Sequence, residues 1–252
     1  MTSPPGVAPH GDGLQRSVSL FRLYLHEPSD PEPFYRFLAD DTFEQLDRFA
    51  GRIDGPLLDI GGAAGYLARA ADGHGYDCVV VEPFYDQLFL HEQQPTPLTA
   101  LADGRALPVP DGSFGVVHCS NVLEHIPDYV RLLEEMVRVL RPGGVGYLAF
   151  TPWTSPWGGH ETSPWHYFGG EYAARRYERR HGTPPKNRFG ESLFALRSAE
   201  VRTELDRDTR IEICWSGPRY WPSSWWPLAR VPLVGDLLSW NHLVIFRKRA
   251  SA

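Results

Sequence analysis

Between Leu57 and Pro152 the chain alternates short, almost unbroken apolar runs with segments of helical spacing, and this alternation limits the fold more than any other feature. PLLDIGG reads as a first strand and GYLARAADGHG as a first helix; YDCVVVEP and FYDQLFLHEQ form the second pair. TPLTALADG and FGVVHCSN are strands three and four. PDYVRLLEEMVRVL is a helix stopped by RPGG, and GVGYLAFTP is strand five. Apolar runs without polar alternation suit strands covered on both faces of a parallel sheet, with helices as the crossovers. RIEICWSGPRY and NHLVIFRKR look like two closing strands. The reading is an α/β fold with a seven-stranded, mostly parallel sheet and helices on both faces.

Outside that alternation the composition changes. Residues 1–19 hold MTSPPGVAPHGDG and are expected to be a disordered tail, with no basic-then-apolar pattern of a signal peptide. FYRFLADDTFEQLDRF follows as an amphipathic helix. All eight tryptophans lie between Trp153 and Trp240, and TPWTSPWGGHETSPWHYFGG is too rich in Pro and Gly for a regular element. A chain of 252 residues, 42% hydrophobic, supports one core. Residues 20–252 are therefore read as a single domain carrying cap segments 152–190 and 215–240. No apolar run approaches the ~20 residues that span a bilayer. A net charge of -6 argues against a nucleic-acid partner. Cys78, Cys119 and Cys214 fall in apolar runs and match no zinc or redox spacing, which fits packed thiols in a cytoplasmic protein.

The turn after the first strand, LLDIGGAAGYLARAA, brings backbone N–H groups close to a ligand. A dinucleotide turn needs G-x-G-x-x-G, but counting from Gly61 the next two positions hold Ala63 and Tyr66. A phosphate-binding P-loop needs a lysine after its last glycine, and neither Lys186 nor Lys248 follows one. Gly182 and Val244 stand where a Tyr-x-x-x-Lys dehydrogenase would place its tyrosine. Asp59-Ile60-Gly61-Gly62-Ala63-Ala64-Gly65 instead resembles the first motif of class I S-adenosylmethionine-dependent methyltransferases, (Asp/Glu)-x-Gly-x-Gly-x-Gly. Ala63 replaces the middle glycine, and its methyl group fits if the backbone stays at negative φ.

Three further segments extend the resemblance over roughly Leu57 to Phe150. YDCVVVEP ends in Glu82, 21 residues after Gly61; LADGRALPVPDGSFGVVHCSNVLEHIPD spans strands three and four; LRPGGVGYLAF enters strand five. The resemblance implies a Rossmann-like fold and S-adenosylmethionine as cofactor. It implies Asp59, Gly61, Gly62, Ala63 and Gly65 around the methionyl part, and Glu82 with Pro83 at the ribose. Ala102, Asp103 and Gly104 fall beside adenine, and Asn121 and Val122 form walls. Within the class the chain is similar to the ubiquinone/menaquinone-biosynthesis-type small-molecule group and to uncharacterised actinobacterial methyltransferases.

Methyl transfer is an in-line displacement at a carbon already activated by a sulfonium, so the protein mainly aligns the reactants. A hydroxyl acceptor also needs a base; an amine or activated carbon need not have one. His125, after strand four, is a candidate base or a cofactor-side structural residue. GGHETSPWHYFGG offers His160, Glu161 and His166 directly after strand five, either as acceptor-site groups or as pins for an awkward loop. His160 is the favoured base, and no metal is assigned. The expected partner is a small-molecule methyl acceptor, with O-methylation of a sugar, glycolipid or natural product favoured. C- or N-methylation and a noncatalytic cofactor-binding module are the alternatives. The arginines of GEYAARRYERRHG read as a solvated, salt-bridged face. WPSSWWPLARVPLVGDLLSW reads as a lid or core packing in preference to a peripheral membrane contact.

Overall fold

The computed structural model describes residues 13–92, 95–96, 98–229 and 234–250. Seven strands form one sheet: β1 (Leu57–Ile60), β2 (Cys78–Glu82), β3 (Thr99–Leu101), β4 (Phe114–Ser120), β5 (Leu140–Phe150), β6 (Ile211–Pro218) and β7 (His242–Lys248). Their order is β3-β2-β1-β4-β5-β7-β6. Strands β1 to β5 pair in parallel, and β7 runs antiparallel between β5 and β6. The strand order reverses direction at β1: β2 and β3 lie on one side of it, and after β3 the chain crosses back to place β4 on the other. A crevice opens there at the carboxyl edge, and open α/β sheets bind ligands in it.

Alternation along the strands builds the two cores. Leu57, Val116, Tyr147 and Ile245 face α2 (Glu32–Ala50) and α3 (Tyr66–Ala71), packing on Phe43, Leu46 and Leu67. Their neighbours Leu58, Val117, Leu148 and Phe246 point the other way, toward α4 (Tyr129–Val139) and α6 (Ser198–Arg207). There they meet Leu132, Met136, Val201 and Leu205. A period of two sends consecutive side chains to opposite faces, and both faces are apolar because both are covered. Each buried aliphatic side chain contributes roughly 1.5–3 kcal/mol against leaving it exposed. Cys78 and Cys119 are buried free thiols, and burial pushes both up from the ordinary thiol range.

The expected elements are present, with four differences. Helix α1 (Leu14–His26) begins inside the stretch expected as tail, whose residues 1–12 lie outside the described residues. Its buried Leu20 and its Arg16 anchor it to the domain. FYDQLFLHEQ forms a 3-10 helix, Tyr85–Glu92, instead of an α-helix. RPGG ends α4 but lies inside β5: Leu140 pairs with Phe114, and a bulge at Gly143, with φ of 78°, resets the register to Val116 and Val145. Trp215 to Pro218 continue β6, so the second cap starts only after the strand ends. Within that cap, residues 230–233 lie outside the described residues. The remaining helices are α5 (Gly170–His181), α7 (Trp226–Ala229) and α8 (Val234–Leu238). Among the described residues no helix is long and apolar enough to cross a membrane.

Most cap aromatics pack inward. Trp215 stacks on Phe49 with centroids 4.5 Å apart, and Trp240 lies 4.9 Å from Trp157 and 4.4 Å from Tyr24 of α1. Two of the α5 arginines have surface partners: Arg175 pairs with Glu171, and Arg176 covers the Trp165 ring at 3.8 Å.

Arg16 joins α1 to α2 through a two-pronged ion pair with Asp41, and the two side chains are only 4% and 1% exposed. Arg16 also donates to the Arg219 carbonyl at 3.0 Å. Removing one partner strands the other charge in the interior, which costs about 3–5 kcal/mol. Urea unfolding of Asp41→Ala should show a loss of that size, and a loss below ~1 kcal/mol would contradict the anchoring role.

Candidate functional site

The site begins at the end of β1. Ile60 leads into a turn with Gly61 at φ 71°, Ala63 at 38° and Gly65 at 72°. The Gly61 N–H donates to the Val81 carbonyl at 2.7 Å, and that of Gly65 to Gly62 at 2.8 Å. A side chain on Gly61 would meet Val122 Cγ2 at 2.3 Å; one on Gly62 would meet Asp59 Oδ2 at 2.4 Å. Close approach therefore requires both glycines, and at Gly61 the backbone conformation requires it as well. Ala63 departs from the negative φ expected for it: the turn forces it into the left-handed region, at a cost of roughly 1–2 kcal/mol for an L-residue. Strain of this kind persists where the surroundings over-determine the backbone.

Beneath the turn, Asp59 and His118 are register partners on β1 and β4. His118 Nδ1 lies 2.7 Å from Asp59 Oδ1, and both side chains are buried. Nδ1–H donating to the carboxylate leaves the His118 Nε2 lone pair unused, and Nε2 is buried without a partner. Both residues line a cleft with the glycine turn, Tyr35 and Thr42 of α2, Asn121 and Arg219. The cleft has a cavity volume of about 150 Å³ and is partly open to solvent. Arg219 is buried and donates to Ser120 Oγ at 2.8 Å and Thr42 Oγ1 at 2.9 Å, while its Nε has no partner. His118, Thr42 and Arg219 escaped the sequence reading, because only strand pairing and the folding back of the C-terminal segment bring them together.

The other cofactor-site candidates lie along the same edge. Glu82 ends β2, buried, with Oε1 accepting the Phe84 N–H at 3.2 Å. Burial raises its carboxyl above the ordinary range, and hydrogen bonds from Phe84 and Ala63 only partly oppose this. Pro83 is exposed beside it, and the Ala102 N–H donates to the Glu82 carbonyl at 3.2 Å. Asp103 is clasped by Arg105, with Oδ2 2.6 Å from Nη2, which holds its carboxyl below the usual range. Gly104 is buried against Ile60 and Leu132. Asn121, at φ 55°, accepts from Asn241 Nδ2 at 2.7 Å.

The four candidate bases separate into two pairs. His166 is buried with both ring nitrogens engaged, Nε2 on the Ser155 carbonyl at 3.1 Å and Nδ1 on Ser163 Oγ at 3.3 Å. Glu161 accepts from Asn187 N and Nδ2 at 2.6 and 2.9 Å. Burial alone would raise the Glu161 carboxyl, but the Asn187 hydrogen bonds outweigh it and leave it lowered. These two residues pin the loop. His125 and His160 instead face one another, ring centroids 5.0 Å apart. Glu124, which the sequence reading passed over, joins them: it is 1% exposed, its Oε1 accepts the Thr151 N–H at 3.0 Å, and its Oε2 has no partner. Burial lowers the His160 pKa, so the ring is neutral near pH 7.

Comparison with known proteins agrees with this geometry. Residues 58–148 match the methyltransferase domain family. An uncharacterized methyltransferase of Mycobacteroides abscessus is 39% identical over 250 residues, covering 94% of this chain and 95% of the relative. One from Mycolicibacterium gilvum is 40% identical over 245 residues, covering 93% and 94%. The chain belongs to the methyltransferases. Among solved structures, an S-adenosylmethionine-dependent methyltransferase from Mesorhizobium loti superposes with a TM-score of 0.56 at 18% identity, over 82% of this chain and 98% of that one. Another, from Methanosarcina mazei, gives 0.54 at 17% identity with the same coverage. At such identities the likeness concerns the fold.

In this methyltransferase Glu82 is a cost to the fold when ionised. Its folded pKa lies above the ordinary 4.5, so its contribution to stability is full below that value and is lost as pH rises through the folded pKa. Glu82→Gln, which still accepts the Phe84 N–H, should therefore gain in melting temperature on wild type between about pH 4.5 and neutrality. A variant less stable than wild type at every pH would contradict that account.

Proposed function

We propose that this methyltransferase transfers the methyl group of S-adenosylmethionine to a hydroxyl of a small molecule, a sugar, glycolipid or natural product. The donor's ribose hydroxyls go to Glu82 and Pro83 flanks them. Its adenine lies beside Ala102, Asp103 and Gly104, with Asn121 and Val122 as walls. The methionyl tail runs over Gly61, Gly62, Ala63 and Gly65. Its ammonium is drawn toward Asp59, and its carboxylate meets Arg219, whose existing hydrogen bonds go to hydroxyls rather than to a carboxylate. The aromatic wall of Tyr35 and Tyr66, stacked with centroids 5.1 Å apart, suits an acceptor with an apolar or carbohydrate face.

One observation carries the choice of oxygen as acceptor. Glu124, His125 and His160 converge at the carboxyl ends of β4 and β5, just after Val122, which covers the glycine turn. A neutral imidazole with a carboxylate beside it can take up a proton and stabilise the cation formed. In the step, the acceptor oxygen bonds to the methyl carbon as the carbon–sulfur bond breaks. The hydroxyl proton passes to the cluster, and S-adenosylhomocysteine leaves neutral at sulfur. An amine acceptor, already nucleophilic when neutral, would make little use of such a cluster.

With an acceptor found by screening hydroxylated metabolites against labelled cofactor, His160→Ala should lower kcat by about 10²–10⁴-fold. Its cofactor Kd by isothermal titration should stay near wild type. Glu82→Gln should do the reverse, weakening cofactor binding roughly tenfold or more as charge-assisted hydrogen bonds are lost. An unchanged kcat in His160→Ala would return that residue to loop support and favour N- or C-methylation.

A further inference from the structure

We infer that Glu124, His125 and His160 form a binding site for one divalent first-row transition-metal ion, with Zn²⁺ the best match to the donor set. This goes beyond the cofactor site. It rests on the proposed function only for its use in catalysis; binding of the ion stands on geometry alone.

The three side chains each present one ligand atom, none farther than 4.8 Å from the others. Two imidazole nitrogens and one carboxylate oxygen make up the His₂–carboxylate set of catalytic zinc sites, which leaves a fourth position open. Each ligand is prepared in a way that a merely structural cluster does not require. His125 Nδ1 sits 2.6 Å from the Ser192 carbonyl, so the ring donates there and turns a bare Nε2 to the cluster. A ligating histidine is commonly oriented through its second nitrogen in this manner. Glu124 is likewise held by one oxygen, on the Thr151 N–H, while the other oxygen is buried without a partner. His160 Nδ1 is also buried without a partner, and the residue is held at φ 50°.

A buried carboxylate oxygen with no donor is costly to leave so. Within the cluster, His125 has committed its Nδ1–H to Ser192, and no donor reaches the Glu124 oxygen or His160 Nδ1. A cation satisfies all three atoms at once. Metal–ligand bonds of about 2.0–2.1 Å require the ligand atoms to draw together by around an ångström, which a small rotation of one imidazole provides. Bound there, the ion ties the β4 end (Glu124, His125) to the loop after β5 (His160). Its open position faces no further ligand from the trio, so it can accept water or an acceptor oxygen, whose proton the ion's charge would make easier to lose.

The test uses the full chain, stripped with chelator and titrated with Co²⁺, whose visible absorption reports coordination geometry, and then with Zn²⁺ in competition. Wild type should bind one equivalent of Co²⁺ with the intense bands of a four-coordinate site, displaced by Zn²⁺. Glu124→Gln and His160→Ala should each weaken binding by more than the ~10–100-fold that an outer-shell change costs. Cofactor titration and thermal melts verify that both variants fold. X-ray absorption at the zinc edge of wild type needs no variant, and should show imidazole scattering with a nitrogen/oxygen shell at about 2.0–2.1 Å. Absence of saturable binding, equal affinity in wild type and both variants, or a shell lacking imidazole would each overturn the inference. Loss of metal binding with methyl transfer intact in His160→Ala would support the ion while removing the cluster from the reaction. No metal binding together with a collapsed kcat would do the opposite.

Discussion

A buried carboxylate organises this molecule. Asp59 lies at the end of a fully buried strand, where an ionised group survives only if it is paired and hydrogen-bonded. His118, directly opposite on β4, supplies that pairing. Much of the cleft follows from the placement. Asp59 Oδ2 occupies the space a side chain on Gly62 would need, so the chain must turn there in glycine. The turn in turn places Gly61 under Val122, which sets the start of the loop carrying Glu124 and His125. The sheet thus transmits one electrostatic requirement at β1 outward to both the cofactor cleft and the imidazole cluster.

The N- and C-terminal additions close this arrangement from one side. Arg219, directly after β6, lines the cleft, and its backbone carbonyl accepts from both Arg16 and Gln45. Tyr147, buried on β5, donates to Gln45 Oε1 at 2.6 Å and lies under the Arg219 guanidinium. A buried polar network of this kind is stabilising only when nearly every member is satisfied. Arg219 Nε is an exception, buried without a partner in a residue that lines the cleft. Helix α1 therefore helps shape the ligand cleft through Arg16, although it lies far from the glycine turn in sequence.

The central fold was legible because its signals are local. Unbroken apolar runs marked β1, β2, β4 and β5, and a glycine turn after an acidic strand end marked the crevice. The misses share a different cause. The helix over Leu14 to Ser19 is not legible in composition, because it is stabilised by partners far along the chain, Asp41 and Tyr220. The partnership of His118 with Asp59 depends on β4 lying next to β1, a fact of sheet order rather than spacing. Glu124 sat in a quoted segment but carried no sign that one of its oxygens would be buried unpaired. Among the loop residues, His160 was separable from Glu161 and His166 only after the fold showed which side chains Asn187, Ser155 and Ser163 had already claimed. The positive φ of Ala63 belongs to the folded turn and has no mark in the residue types around it.

The account turns on where the nucleoside and the amino-acid tail lie. A crystal structure of the protein with S-adenosylhomocysteine measures this directly. It should show both ribose hydroxyls within about 2.7–3.2 Å of the Glu82 carboxylate and the tail lying over Gly61 to Gly65, its carboxylate at Arg219. A complex in which Glu82 still holds only the backbone of Phe84 and Ala63, with the nucleoside bound away from the β1–β4 crevice, would contradict it.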